Sequence, residues 1–148
     1  MPPGTGDIPL TLAQTIPITG ILVVTTPQEV ASRVAVKAFG MFQKLNIPIL
    51  GVIENMSYFK CPDCNTTHHI FGEGGARKIC EKFSLPFLGE IPLNPGIMEG
   101  SDTGRPVLVT DPNSPHSAAF MSAAKNVAAR CSILADQLKE EMSAEVAT

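Results

Sequence analysis

A nearly unbroken β-branched run, ITGILVVT at residues 18–25, places the first constraint on this chain. Such a run suits a strand buried on both faces, as in a parallel sheet with helices on each side. Thr26-Pro27-Gln28 ends it. The following residues keep helical time. Val30, Ala31, Val34, Ala35, Ala38, Met41, Phe42 and Leu45 share one side, and Glu29, Arg33, Lys37 and Lys44 the other. Asn46 and Pro48 close that helix.

The same alternation continues. ILGVI at residues 49–53 predicts a second buried strand and FLGEI at residues 87–91 a third. Residues 54–71 read as a long polar loop carrying Cys61, Cys64, His68 and His69. Gly72 opens a short helix with Ala76, Ile79, Cys80 and Phe83 on one face, and residues 92–110 read as a loop with about one helical turn. Ser114-Pro115 is a helix start, Ser as cap and Pro at the first position. Ala119, Ala123, Val127, Cys131, Leu134 and Leu138 line one face of the helix that follows. Residues 1–17 read as turns, and the polar, small residues 139–148 as a frayed tail. Strand and helix alternating in this way specify an α/β fold, a parallel sheet layered between helices with right-handed crossovers. Three strands leave two sheet edges open, which points to a larger unit.

The composition excludes several classes of function. A chain of 148 residues is one domain's worth, and its apolar fraction of 44% is that of a globular protein. The charged fraction of 17% is below the roughly 25% of soluble domains, so part of the surface is expected to be covered by a partner. A net charge of -3, a pI near 5.5, no Trp and a single Tyr argue against nucleic-acid binding. No apolar stretch approaches the roughly 20 residues of a membrane span. The first residues carry neither the basic region nor the apolar helix of a secretory signal. Four cysteines are too few for a disulfide scaffold.

Cys61-Pro62-Asp63-Cys64 is the strongest chemical signal. Two thiolates at this spacing bind one metal centre from a tight turn, and soft sulfur selects zinc or an iron–sulfur cluster. About four ligands are needed, so two are missing. His68 and His69 are candidates, but adjacent residues of an extended segment point opposite ways. A second cysteine pair from a two-fold mate is the alternative. A thioredoxin-like redox pair is disfavoured, because that motif opens a helix. Cys80 and Cys131 fall on apolar helix faces and read as small core residues.

Other candidates are weaker. Residues 2–7 form a Gly-rich turn that can point N–H groups at a phosphate, and residues 72–75 could bind an anion at a helix start or serve as a hinge. Asn55 stands beyond the carboxyl end of the second strand, the rim where open α/β sheets bind ligands, and its amide can read a purine edge. Pro92, Asn94 and Pro95 follow the third strand onto the same rim. Glu54 and Asp102 are acid/base candidates that no spacing pairs, and His116 reads as solvated.

The segments MPPGTGD, TPQEVA, GVIENMSYFKCPDC, HIFGEGGA, FLGEIPL and SDTGRPV, in this order, resemble the carboxyl-terminal half of the Mrp-like (ApbC-like) P-loop ATPases. These iron–sulfur cluster carriers are related to MinD and the nitrogenase iron protein. The resemblance covers residues 1 to about 134 and implies an incomplete deviant-Walker P-loop NTPase fold at residues 1–138. It implies a homodimer joined through the cysteine loop, with Cys61 and Cys64 of each copy bridging one [4Fe-4S] cluster destined for apo iron–sulfur proteins. It also implies that Pro2, Gly4 and Asp7 belong to a phosphate-sensing segment, Gly4 meeting the γ-phosphate. Asn55 then contacts adenine, and Pro92 and Leu93 flank the base. ATP and Mg²⁺ are the full-length family's cofactors, and no membrane or nucleic acid is implied.

The departures are equally specific. The family's KGGVGKS-like loop, first strand and first switch do not occur in these 148 residues, and Met1 aligns with a Met that is normally internal. The chain is therefore expected to be a truncated piece. Val34 stands where relatives usually carry Asp. A cytoplasmic location is expected, or an organellar one with the presequence missing. A zinc-binding or inactive interaction module is the alternative function. Without the Lys-bearing loop and a Mg²⁺-binding hydroxyl, phosphate charge is not neutralised. The isolated polypeptide is predicted not to hydrolyse ATP. Magnesium-dependent turnover that follows the chain through successive purification steps would overturn this.

Overall fold

The structure is a computed structural model and describes residues 7–146. Its elements are α1 (Asp7–Thr15), β1 (Ile21–Thr25), α2 (Glu29–Lys44), β2 (Ile49–Lys60), β3 (Thr67–His68), α3 (Gly75–Phe83), β4 (Phe87–Leu93), α4 (Pro95–Asp102), α5 (Val107–Thr110) and α6 (Pro115–Val146). β2 is the centre of the sheet. β1 and β4 run parallel to it, and β3 pairs antiparallel with its outer end. The expected three-layer α/β arrangement is present. On one face α2 and α3 pack over Val23, Phe39, Val52, Ala76 and Ile79. On the other, α6 brings Ala123 against Leu50, Ile53, Leu88 and Ile91.

Gly51 explains how a continuous apolar run serves both faces. Its φ is +152°, and a Cβ there would lie 2.5 Å from the Pro86 carbonyl oxygen. The β1–β2 register shifts at this point, with Ile21 opposite Ile49 but Leu22 opposite Gly51. Only glycine fits such an irregularity beside an approaching backbone.

Several expectations are corrected. The sheet has four strands, because β2 continues seven residues past Ile53 and β3 pairs back onto it, through a stretch expected to be loop. Residues 7–15 are helical where turns were expected; Pro9 lies in the first turn, where a missing N–H costs nothing. The expected loop at 92–110 holds α4 and α5. The Asn94 side chain caps α4 by accepting from the Gly96 N–H at 2.8 Å, and Pro95 takes the first position. Val24, expected to be buried, is 55% exposed, since α6 packs on β4 and β2 rather than over β1. The helix that starts at Pro115 continues to Val146 on helix-favouring Glu, Lys and Ala. Its start matches the sequence reading, with Ser114 Oγ accepting from the Ser117 N–H at 3.2 Å.

Phe39 is 2% exposed and meets Phe83 edge-on, ring centroids 5.3 Å apart, at the α2–α3 junction. Phe39→Ala is expected to destabilise the fold by about 3–5 kcal/mol, read by urea unfolding. A loss below about 1 kcal/mol would mean that this face of the sheet is not the packed core described.

Candidate functional site

The outer end of β2 turns back on itself. Lys60 pairs with Thr67 and Phe59 with His68, so residues 61–66 form the tip of a hairpin. The tip is fastened from within: the Cys61 N–H donates to the Thr66 carbonyl and the Asn65 N–H to the Cys61 carbonyl, each at 2.9 Å. Asn65 takes the left-handed conformation at φ 59°, which Asn tolerates. Both cysteines thus sit on one tight turn, Cys61 half-buried and Cys64 exposed, and both are free thiols.

Cys64 Sγ lies 3.2 Å from Thr66 Oγ1. Hydrogen bonding to the Thr66 hydroxyl, then to the Thr66 backbone, then to Cys61 holds the Cys64 thiol below the ordinary thiol range. A thiolate is the form that ligates metal. Among the described residues, no group of three or more His, Cys, Asp or Glu side chains is placed to hold a metal ion. His68 and His69 therefore do not complete the cysteine pair. His68 is exposed on β3, and His69 Nδ1, when protonated, donates to the Ser57 carbonyl at 3.3 Å. Cys80 is buried on α3, where burial raises its thiol pKa, in keeping with a core role.

The rim residues converge on a bulge. Asn55 pairs with Ile91 and Phe59 with Leu93, so three residues of β2, Met56, Ser57 and Tyr58, face the single Pro92 of β4. Proline has no N–H for the ladder and is tolerated in a sheet at such bulges. Met56 adopts φ 55° there, and its N–H donates to Asn55 Oδ1 at 3.0 Å. Asn55, Pro92 and Leu93 are thus neighbours on the carboxyl rim of the parallel strands. Pro2 and Gly4 lie outside the described residues, and Asp7 is the first residue of α1.

Glu54 is not an acid/base group of the rim. It is 2% exposed; Oε1 accepts from the Ser57 hydroxyl and Oε2 from the Ala76 N–H, both at 2.7 Å. The Ala76 N–H is one of the orphan donors of the α3 N-terminus, so the anion at the Gly-rich helix start is the chain's own carboxylate. Gly75 is required there because a Cβ would overlap the Pro27 carbonyl. Asp102 is exposed at the end of α4. His116 is half-buried rather than solvated, with Nδ1 buried and without a hydrogen-bond partner among the described residues. Sequence reasoning missed Ser57 and Thr66. The signals were a hydroxyl three residues after a carboxylate in a strand and one two residues after a turn cysteine.

Comparison with known proteins gives a consistent set of likenesses. The family model described as NUBPL iron-transfer P-loop NTPase, of the ParA group, matches residues 1–128. The iron-sulfur cluster transfer protein NUBPL of Dictyostelium discoideum is 45% identical over 134 residues, 90% of this chain and 42% of that protein. The iron-sulfur cluster carrier protein of Aquifex aeolicus is 48% identical over 125 residues, 84% of this chain and 34% of that protein. The chain thus spans less than half the length of these curated relatives. Among solved structures, a nucleotide-binding protein from Archaeoglobus fulgidus in complex with ADP is 40% identical with a TM-score of 0.64, covering 78% of this chain and 46% of that one. The cell division ATPase MinD of Pyrococcus furiosus is 25% identical with a TM-score of 0.56, covering 72% and 40%.

Because hydrogen bonding to Thr66 is the leading reason for the low Cys64 pKa, removing the hydroxyl must raise it. Thr66→Val is expected to move the midpoint of Cys64 alkylation to higher pH, measured with iodoacetamide in a Cys61→Ser background. An unmoved midpoint would show that the hydroxyl does not stabilise the thiolate.

Proposed function

The chain belongs to the NUBPL iron-transfer P-loop NTPase family, and from that membership we propose that it holds an iron–sulfur cluster as cargo on Cys61 and Cys64. The observation that carries this reading is the hairpin tip. It offers two thiols on one turn, the exposed one biased toward thiolate, without a third ligand placed nearby among the described residues. Two ligands are half of what a cubane cluster takes. A second copy of the chain supplies the other two, so a [4Fe-4S] cluster bridges a homodimer across the hairpin tips. Exposure at the tip suits release to apo iron–sulfur proteins, which are the recipients in this reading. In this reading the chain works in a reducing compartment, cytoplasmic or organellar, where a cysteine pair stays available as thiols. No helix among the described residues is long and apolar enough to cross a membrane.

The rim next to the hairpin is the nucleotide side. In this proposal Asn55 reads the adenine edge and Pro92 and Leu93 flank the base, supported by their meeting at the β2 bulge. Pro2, Gly4 and Asp7 are proposed to face the γ-phosphate, on the resemblance of MPPGTGD to that segment of the family. Nucleotide turnover belongs to a longer protein that includes the Lys-bearing loop.

Native mass spectrometry after anaerobic reconstitution with iron and sulfide tests the cargo. The expected species is a dimer with one four-iron, four-sulfide cluster, absent in Cys61→Ala and in Cys64→Ala. A zinc-only species would favour a structural zinc module, and iron retained by both variants would sink the assignment of these cysteines.

A further inference from the structure

We infer that Ser57 is a positioning residue that sets the cysteine hairpin against the sheet, anchored on one side by Glu54 and on the other by His69. The inference rests on the reading of Cys61 and Cys64 as the cluster-holding pair, and goes beyond it by naming what aims them. Ser57 lies in the bulge, where β2 has three residues to one on β4 and so lacks a regular ladder on that edge. A strand without its ladder bends, and something else must fix the angle. Ser57 is 3% exposed and is tied at both ends. Its hydroxyl donates to Glu54 Oε1 at 2.7 Å, and its carbonyl faces His69 Nδ1 at 3.3 Å.

Each anchor reaches a different body. Glu54 is held by the Ala76 N–H, so it moves with α3 and the packed sheet. His69 follows β3, the return arm of the hairpin. Ser57 therefore joins the rigid core to the arm that returns from Cys64. The proposed metal-ligating turn begins four residues beyond Ser57, directly after Lys60, the last residue of the same strand. A small rotation at the bulge swings both thiols together, which matters most when they must meet a second pair on another copy.

Ser57→Ala removes one anchor and leaves the Glu54–Ala76 bond in place, so the fold should persist with a drop in unfolding temperature of about 2–4 °C. In the metal-free chain, NMR hydrogen exchange is expected to speed up about five- to tenfold at the Cys61 and Asn65 amides, which are hydrogen-bonded across the tip, and not in β4. In the reconstituted chain, loss of the cluster to a chelator should be about tenfold faster. Glu54→Gln, whose amide oxygen still accepts from the Ala76 N–H while its NH2 donates to the Ser57 oxygen, should stay near wild type where Glu54→Ala does not. Unchanged exchange at the tip in Ser57→Ala overturns the inference, as does faster exchange with an unaltered chelation rate. Failure of the unmodified chain to load iron refutes the proposed cargo instead. The exchange result alone then decides whether Ser57 sets the hairpin.

Discussion

A carboxylate buried in the middle of a sheet is costly unless its charge is met, and Glu54 shows how this fold meets it. Taking a lone carboxylate out of water costs several kcal/mol even after relaxation. Glu54 is buried with one oxygen on the Ala76 N–H at the start of α3 and the other on the Ser57 hydroxyl. The helix N-terminus supplies partial positive charge, and the hydroxyl completes the donor set. This makes α3, the central strand and the bulge one connected piece. It also explains Gly75, whose lack of a Cβ lets the helix start lie against Pro27 and within reach of the carboxylate, while Gly74 before it takes the left-handed conformation at φ +69°.

The second constraint is that β2 serves two structures. Its inner half is the central strand of a parallel sheet, and its outer end is one arm of an antiparallel hairpin. Pro92 withholds an N–H where the change occurs, and the bulge absorbs the mismatch. Phe59 carries both environments, paired to Leu93 on one edge and His68 on the other. The cysteine turn is therefore an extension of the best-supported strand. Its flexibility is limited to what the bulge allows, although its tip is exposed.

Much of this was legible in the sequence, for identifiable reasons. The inner strands and α2 follow from β-branched runs and helical spacing, because burial on both sheet faces leaves no ambiguity of period. The hairpin was hidden because its residues are polar and its pairing depends on partners elsewhere, Leu93 in β4 and Thr67 in the return arm. Residues 92–110 looked like loop because Pro92, Pro95, Gly96, Gly100 and Gly104 break the pattern, yet the Asn94 cap offsets the weak propensity of α4. The cysteine pair was read correctly as a turn motif, while Glu54 and His69 drew chemical roles that the structure turns into mechanical ones. A carboxylate's partner three residues on and another twenty-two residues away cannot be seen in a linear pattern.

The same geometry bears on why a cargo site would be built from two ligands rather than four. A closed tetrahedral site on one chain holds its metal as part of the fold, and removal costs folding free energy. A pair on an exposed turn does not enter the core, which here is complete without it around Val52 and Ile53. Under the proposed function, loading and unloading would leave the sheet intact, and retention would depend on how well two such pairs are aimed at one another. On that view the polar links among Glu54, Ser57 and His69 matter more than any apolar contact to the hairpin. They set an angle, and affinity for a shared cluster is sensitive to angle in a way that stability of the chain is not.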